Sequence, residues 1–323
     1  MLLEPSVYRL AAKDSLGKAC KPGQVILLHT GVILLLSLIL AAADYFLDQQ
    51  IGTTGGLSGM GTRSMLTTVQ SILRLAQLVL LPFWQIGYTY YTLLVARRES
   101  AGIPSLLEGF RRFGPVLRLK ALVAGMAAIL GLISAYAASA LFMLTPLSAP
   151  LLAEAEALLT ENASDAAIME ALIPLLETYT LPIMILFSLC FLAGGIFLFF
   201  RFRLAELWLM DHPEGGALAA LRTSRRMMQG NMKAMLRIDL SYWWYYLLAA
   251  LVSALAMGDV ILDSIGLELT TDAFFSHYLL FFSLYAWAHL ALYWWKQNEV
   301  SVTYAQAYLT LCPKEEPQEG AKV

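Results

Sequence analysis

Residues 201–239 read RFRLAELWLMDHPEGGALAALRTSRRMMQGNMKAMLRID. A long apolar run leads into this stretch, a basic segment with helical spacing lies in its middle, and a second apolar run follows it. This order is typical of a connection that joins two membrane-spanning helices along the membrane surface. The stretch therefore predicts an integral membrane protein and gives the starting point for its topology.

The composition supports the same class. The chain has 323 residues, of which 59% are hydrophobic and 14% charged, whereas soluble domains have about 45–50% apolar and about 25% charged residues. A net charge of −2 provides no broad basic field for nucleic acid. Cys20, Cys190 and Cys312 are far apart and no Cys-x-x-Cys pair occurs. We therefore expect no disulfide framework, no metal site and no cofactor.

A helix needs about 20 mainly apolar residues to cross a hydrocarbon core about 30 Å thick. The segments that meet this criterion are 25–46, 69–95, 116–144, 179–209, 235–257 and 273–295. The sequence thus predicts an all-α fold, a six-helix transmembrane bundle in a single domain (1–312) with a disordered cytoplasmic tail (313–323). Lys18 and Lys21 before the first segment imitate a signal peptide, but the apolar run is long for one. We interpret it as an uncleaved span.

The positions of the 22 Lys and Arg residues predict the orientation. All except Arg63 and Arg74 lie at the N-terminus, beyond residue 295, or in two of the connections, 97–120 and 201–237. The connections 147–177 and 258–272 contain acidic residues and no basic one. Because basic residues stay on the cytoplasmic side, both termini are predicted to be cytoplasmic in a multi-pass protein of the cell membrane.

The two basic connections predict amphipathic interfacial helices on the cytoplasmic side. In the first, Pro104 suits an opening turn and Gly114-Pro115 is expected to end the helix. Its apolar stripe and its neighbouring cations are Leu106, Leu107, Phe110, Phe113, Arg111 and Arg112. A weaker version at the N-terminus has Arg9, Lys13 and Lys18 around Val7, Leu10 and Leu16.

In the second connection, Asp211-x-x-Glu214 has the spacing of a capping box, and Gly230 suits the left-handed residue after a helix. One side of this helix is predicted to carry Leu218, Leu221 and Met228, and another Arg222, Arg225 and Arg226. The three arginines, with Arg111 and Arg112, are candidates for anionic lipid headgroups.

Charged groups inside or beside the spans are functional candidates because they are costly in lipid. Asp44 and Arg74 are predicted to pair near the outer surface. Arg201 and Arg203 either reach the headgroups or form an anion site with Arg237, and Asp239 is expected to balance Arg237 or a neighbouring arginine. The remaining polar candidates are Glu206, His29 and His289, where buried structural histidines are favoured over a two-histidine metal site.

The 201–239 stretch also carries a family resemblance. Leu204–Leu209, Asp211-x-Pro213 and Gly216-Ala217-Leu218-x-x-Leu221-x-x-Ser224-Arg225-x-Met227-x-x-Gly230-x-x-Lys233 resemble a bacterial, mainly Gram-positive, family of integral membrane proteins of unknown function. Glu108-Gly109-Phe110-x-x-Phe113 and the closing Tyr304 and Tyr308 are similar to the same family. The layout is distantly similar to the membrane domain of some glycerophosphodiester phosphodiesterases. This resemblance implies no catalytic residues.

Three functions are compatible with these features. The first is a non-enzymatic membrane protein whose basic helices bind anionic lipid headgroups or another membrane protein. The second is a small-solute or lipid transporter with a polar route past Arg74, Gln77, Gln85, Arg201 and Glu206. The third is an intramembrane enzyme, which requires polar side chains to converge among Asp44, Asp239, His29 and His289. No G-x-S-x-G, H-E-x-x-H or Walker A motif supports the third.

Overall fold

The computed structural model describes residues 4–53, 60–150, 165–256 and 271–312, together with residues 152, 153, 156 and 258. Its regular elements are helices, and the described ranges contain no strand. The all-α prediction is confirmed. The helices are α1 (Pro5–Lys18), α2 (Pro22–Thr53), α3 (Met60–Arg97), α4 (Glu108–Arg111), α5 (Phe113–Met143), α6 (Asp165–Phe202), α7 (Ala205–Asp211), α8 (Gly216–Met228), α9 (Met232–Leu240), α10 (Trp243–Leu255), α11 (Thr271–Leu292) and α12 (Asn298–Leu311). Short 3₁₀ turns, Ile103–Leu107 and Pro213–Gly215, precede α4 and α8, and a π-helix, Tyr293–Gln297, joins α11 to α12.

Four helical segments of the described chain are long and apolar enough to cross a membrane, namely Pro22–Leu47, Ser64–Arg97, Phe113–Met143 and Tyr179–Asp211. A fifth candidate consists of α9 and α10, which are bent by 67°. Within the residues that the structure describes there are therefore four or five candidate spans, where the sequence predicted six.

The fifth predicted span, 235–257, is interrupted at residues 241–242. The hydroxyl and the backbone N–H of Ser241 both donate to the carbonyl of Ile238, at 2.7 Å and 3.1 Å. These bonds close the last turn of α9, and the chain bends before α10 begins. The sixth predicted span, 273–295, coincides with α11 and the π-helix, and side chains 271–279 lie outside the described part of the structure.

The chain forms two compact units, Met1–Leu117 with Leu204–Val323, and Arg118–Arg203. In the first unit, α12 is packed against α1 and α3, and α2 is packed against α3. Tyr88 of α3 donates to Asn298 at 2.7 Å, and Gln306 donates to the carbonyl of Ala96 at 2.8 Å. Contacts at both ends show that α3 and α12 run in the same direction.

Apolar side chains from distant parts of the chain fill the core of this first unit. Its fully buried members include Phe83, Ile86, Leu93, Leu106, Leu204, Leu209, Met210, Met228, Val302 and Ala305. The most apolar parts of the four candidate spans bury few of their residues, from 28% down to none. Packing within the unit is therefore concentrated where α3 ends and where α7, α8 and α12 lie.

Two glycines allow the 103–111 segment to lie against α3. A Cβ on Gly87 would stand 1.8 Å from the carbonyl oxygen of Leu106, and one on Gly109 would stand 2.1 Å from that of Phe83. The rings of Phe110 and Phe113 are stacked on Phe83, with centroids 5.8 Å and 4.7 Å away. Backbone contact at these glycines thus positions the first basic connection.

Helices form in the N-terminal segment and in the basic connections, but their buried faces differ from the predicted ones. In the first connection, Leu106 is buried while Leu107 is exposed. Gly114-Pro115 does not end a helix, because α5 begins at Phe113 and accommodates the proline in its first turn. In α1 the buried side chains are those of Tyr8, Ala12 and Ser15, whereas the predicted Val7 and Leu10 are exposed.

The second unit, Arg118–Arg203, contains most of α5 and α6. A Cβ on Gly194 of α6 would stand 2.3 Å from Leu130 of α5. Toward the other end of the pair, the rings of Phe142 and Tyr179 lie 5.7 Å apart. These contacts make α5 and α6 an antiparallel pair. The intervening 147–177 connection, which contains acidic residues and no basic one, lies largely outside the described residues.

Candidate membrane-interface site

The carboxylate of Asp211, at the end of α7, links three helices. The side chain is 5% exposed. It accepts hydrogen bonds from Arg97 of α3 and, at 2.7 Å, from the hydroxyl of Tyr308 in α12. Burial, followed by the hydrogen bonds with Cys312 and Asp211, raises the pKa of Tyr308, so this hydroxyl stays protonated and donates.

This arrangement corrects the predicted capping box. Helix α8 begins at Gly216, and its preceding residue, Gly215, makes no side-chain capping bond. Asp211 and Glu214 do not cap α8, because the Asp211 carboxylate is occupied by Arg97 and Tyr308. Gly230 does adopt a left-handed backbone conformation after α8, with φ of 82°, which confirms the predicted end of that helix.

A second carboxylate, Glu299 at the start of α12, gathers residues from distant parts of the chain. Lys296 lies 2.7 Å from it and Arg9 of α1 lies 3.7 Å from it. The hydroxyl of Tyr242 donates to it at 3.3 Å. Both cations also lie over the ring of Tyr242, with Arg9 5.1 Å and Lys296 5.8 Å from its centroid. Lys296 and Arg9 thus belong to a structural cluster rather than to a free basic surface.

A third carboxylate, Asp239, lies near the end of α9. Its predicted role, to balance Arg237 or a neighbouring arginine, stays a prediction. In the structure it accepts a hydrogen bond from Tyr304 of α12, whose hydroxyl also bonds to Tyr246. Arg237 is exposed on α9. The aromatic hydroxyls of α12 therefore hold both Asp211 and Asp239, on either side of α8 in the chain.

The arginines of the first basic connection fall into two classes. Arg112 donates to Glu108 at 3.0 Å and to the carbonyl of Met210 at 2.5 Å, and it lies 5.1 Å from the ring of Tyr90. Its side chain is 21% exposed. Arg111 is 71% exposed and lies 3.4 Å from Glu108. Arg112 is half-buried and bonded to the protein, whereas Arg111 is accessible, and a headgroup role for either arginine stays a prediction.

Helix α8 has two clearly separated faces. One is buried and consists of Ala217, Ala220, Leu221, Ser224, Met227 and Met228. The hydroxyl of Ser224 accepts a hydrogen bond from the backbone N–H of Leu204 at 3.2 Å, which attaches this face to the start of α7. The opposite face is exposed and carries Leu218, Arg222, Arg225 and Arg226.

Leu218 was predicted to lie on the apolar side with Leu221 and Met228, but it lies on the arginine face. In the described part of the chain, no carboxylate pairs with Arg222, Arg225 or Arg226. The structure therefore places three accessible cations and one leucine on a single helix face.

Helix α9 continues this pattern in a way the sequence reading missed. Its buried residues are Met235 and Ile238, and its exposed side chains are Lys233, Leu236, Arg237 and Leu240. The spacing i, i+3, i+4 and i+7 places the exposed four on one face. The signal was present in the sequence, but assigning residues 235–257 to a span concealed it.

Arg201 and Arg203, at the end of α6, are half-buried and lie over aromatic rings of their own helix. Arg201 is 5.2 Å from the centroid of Phe197, and Arg203 is 5.0 Å from that of Phe199. Such cation–π contacts suit the headgroup level of a membrane. An anion site shared with Arg237 stays a prediction. Glu206 is half-buried in the first turn of α7, where a carboxylate is favoured by the helix dipole.

Among the intramembrane candidates, Arg74 is exposed on α3. The side chain of Asp44 lies outside the described part of the structure, so the predicted Arg74–Asp44 pair stays a prediction. His29 is stacked on Tyr88 with centroids 4.3 Å apart, and His289 lies 3.9 Å from Tyr293. Within the described residues no group of three or more His, Cys, Asp or Glu side chains could hold a metal ion.

The chain was compared with known proteins and protein families. No curated protein and no solved structure matches the chain. Residues 19–293 match a protein family, and the match includes residues 108–113 and 201–239, while Tyr304 and Tyr308 lie beyond it. Because the match covers most of the chain, the protein belongs to the family described as "Protein of unknown function (DUF975)".

Proposed function

We propose that this protein is a non-enzymatic integral membrane protein that binds anionic phospholipid headgroups through the exposed face of α8. The observation that carries the proposal is the grouping of Arg222, Arg225 and Arg226 on one face, opposite the buried face of the same helix. Carboxylates neutralise many other cations of this unit, including Arg97, Arg98, Arg112 and Lys296. The α8 arginines are free to meet external anions.

The electrostatic free energy gained by the three arginines is large enough to select anionic over neutral lipids. A basic residue near an anionic membrane surface gains about 1 kcal/mol, so three arginines together gain about 3 kcal/mol. Arginine also donates in a planar fork that matches phosphate oxygens. Leu218, exposed on the same face, adds an apolar contact beside the charges. The face is therefore suited to the phosphate level of an anionic leaflet.

The proposed orientation places α8 and both termini in the cytoplasm of a cell with the protein in its plasma membrane. The distribution of lysines and arginines supports this orientation. A reporter enzyme that is active only in the cytoplasm tests it, either fused after residue 323 or inserted into the 147–177 connection. We expect the reporter to be active at the C-terminus and inactive in that connection. The reverse pattern would contradict the orientation.

Lipid binding is tested by native mass spectrometry with phosphatidylglycerol and phosphatidylcholine. We expect R222E/R225E/R226E to lose phosphatidylglycerol retention about 100-fold, since about 3 kcal/mol corresponds to roughly two decades, with phosphatidylcholine retention unchanged. The matched variant R222K/R225K/R226K keeps the charge and should retain most of the preference. Equal retention of phosphatidylglycerol by the glutamate variant and the native chain would refute the proposal.

The finer parts of the family resemblance, a Gram-positive bacterial source and similarity to the membrane domain of glycerophosphodiester phosphodiesterases, stay predictions. Transport and intramembrane catalysis are the alternatives to lipid binding. In the described part of the chain, no observation favours either of them over the exposed arginine face.

A further inference from the structure

We propose that α9, Met232–Leu240, lies in the plane of the membrane interface as an amphipathic helix. In this arrangement Leu236 and Leu240 enter the acyl-chain boundary, while Lys233 and Arg237 extend to lipid phosphates. The proposal goes beyond the proposed function, because it assigns a membrane depth to residues outside α8 and does not require selectivity for anionic lipid.

The first support is the composition of the exposed face. Lys233, Leu236, Arg237 and Leu240 occupy one side of α9, and Met235 and Ile238 are buried on the other. Two large leucines beside two cations are unsuited to open water and also to the hydrocarbon centre. They suit the boundary between these media, because long basic side chains can reach the phosphates while leucines insert among the acyl chains.

The second support is the 67° bend between α9 and α10. Helix α10 has 13 residues, so it is about 20 Å long, less than the roughly 30 Å hydrocarbon core. The bend prevents α9 from adding its length along the same axis. A chain that turns by this angle at the membrane surface leaves α9 close to the membrane plane while α10 points inward.

Contacts with α12 hold the bend in place. Before the break, Asp239 accepts a hydrogen bond from Tyr304, and within the break the hydroxyl of Tyr242 lies 2.8 Å from that of Thr303. Both partners belong to one helix, α12, so the end of α9 and the break itself are fixed on a common support. The bend is therefore part of the packed unit.

The third support is the pair of tryptophans directly after the break. Trp243 and Trp244 are both exposed, and their rings are stacked with centroids 3.8 Å apart. Tryptophan side chains are enriched at the headgroup level of membranes. This preference places the start of α10, and hence the end of α9, at the interface. The charges and leucines of α9 fit the same depth, so the occupant of its exposed face is the lipid bilayer.

Spin labels at two positions separate an interfacial helix from a straight span. Leu236→Cys and Leu240→Cys are labelled singly in the full chain whose Cys20, Cys190 and Cys312 are replaced by serine, reconstituted in phosphatidylcholine vesicles and in vesicles with phosphatidylglycerol. The collision rates of each label with oxygen and with a water-soluble nickel complex report the depth of that label in the membrane. Labels at Gly17→Cys, exposed in α1, and at Leu189→Cys, exposed in α6, give aqueous and acyl references.

We expect labels 236 and 240 to have the same depth, between the two references, in both kinds of vesicle. A straight span would place label 240 about 6 Å deeper than label 236, and that result overturns the proposal. Nickel accessibility at both sites equal to that at Gly17 also overturns it. If depth is as expected while charge reversal on α8 leaves lipid retention unchanged, the proposed function fails and this inference stands.

If the cysteine-free chain does not fold, a photoreactive residue in the native-cysteine chain gives a second measurement. We expect p-benzoylphenylalanine in place of Leu236 or Leu240 to form lipid adducts on irradiation in vesicles. The same residue in place of Met235, which is buried, should form adducts within the protein. Protein adducts without lipid adducts at both 236 and 240 would overturn the proposal.

Discussion

Tyr308 donates a hydrogen bond to Asp211 at 2.7 Å, although the two residues are 97 positions apart in the chain. Tyr304, one turn earlier in α12, bonds in the same way to Asp239. These two carboxylates flank the segment that contains α8 and most of α9. Helix α12 therefore holds both ends of the surface that carries the exposed cations.

Replacing Tyr308 by phenylalanine should lower the free energy of unfolding by about 1.5–3 kcal/mol, because the change removes a hydrogen bond to a buried charged acceptor. Thermal unfolding in detergent followed by circular dichroism measures the effect. Tyr136→Phe is the matched control, since Tyr136 is 78% exposed on α5, and should change stability little. Equal stability of both variants would contradict the role of Tyr308.

Asp211→Asn should also destabilise the protein, because it leaves the guanidinium of Arg97 without its carboxylate. We expect a loss of about 1–3 kcal/mol, less than for a fully buried pair, since Arg97 is 34% exposed. Asp14→Asn removes an exposed carboxylate that also pairs with an arginine, Arg98, and should have a much smaller effect. A larger loss for Asp14→Asn than for Asp211→Asn in the same unfolding assay would refute this ranking.

The contrast between Asp211 and the predicted capping box shows what the sequence could reveal. Asp211-x-x-Glu214 has the spacing of a capping box, but such a spacing considers only partners that are close in the sequence. Its real partners come from α3 and α12, and no local pattern reports which distant side chains converge. The exposed arginines of α8 were predictable, because helical periodicity alone separates Arg222, Arg225 and Arg226 from the buried Leu221 and Met228.

The bend at Ser241 escaped prediction for a related reason. Prolines and glycines are the usual sequence signals for a break, and residues 235–257 contain no proline and no glycine. Hydrogen bonds of Asp239 and Tyr242 with α12 hold the chain at both residues of this region, and such distant partners leave no local signal. The faces of α1 were misassigned for the same cause, since packing on α12 buries Tyr8, Ala12 and Ser15 although Val7 and Leu10 are more apolar.

Gly87→Ala should prevent normal packing of the first basic connection. The added Cβ would stand 1.8 Å from the carbonyl oxygen of Leu106, so the backbone must move, and we expect a loss of about 3 kcal/mol or more. The measurement is the yield of monodisperse protein together with its thermal midpoint. Gly31→Ala, where a Cβ meets nothing within 4 Å, is the control and should be neutral or stabilising by up to about 1 kcal/mol.

The pH dependence of stability should include a contribution from Asp14. A hydrogen bond from Lys18, with the charges of Lys18 and Arg98, lowers the pKa of Asp14 below its ordinary value of 3.8. A lowered folded-state pKa stabilises the protein above the unfolded value, and that stability is lost as the pH falls through the folded pKa. Below pH 4, the thermal midpoint of Asp14→Asn should fall less steeply than that of the native chain. Identical slopes would show that Asp14 makes no such contribution.

Arg111 and Arg112 are adjacent in the sequence, but the structure predicts different consequences for their loss. Arg112→Gln removes a bond to Glu108, a bond to the carbonyl of Met210 and a contact with Tyr90. It should therefore cost about 1–3 kcal/mol of stability and leave phosphatidylglycerol retention unchanged. Arg111 is 71% exposed, so Arg111→Gln should change stability by less than about 0.5 kcal/mol.

Unfolding and native mass spectrometry on the same two preparations distinguish these roles. If Arg112→Gln were as stable as the native chain and lost phosphatidylglycerol, then Arg112 would be a headgroup ligand, as its sequence position alone had predicted. The structure favours the opposite result, because the guanidinium of Arg112 is occupied on three sides by the protein itself. Only a cation that lacks such internal partners has its hydrogen-bond donors available for a lipid phosphate.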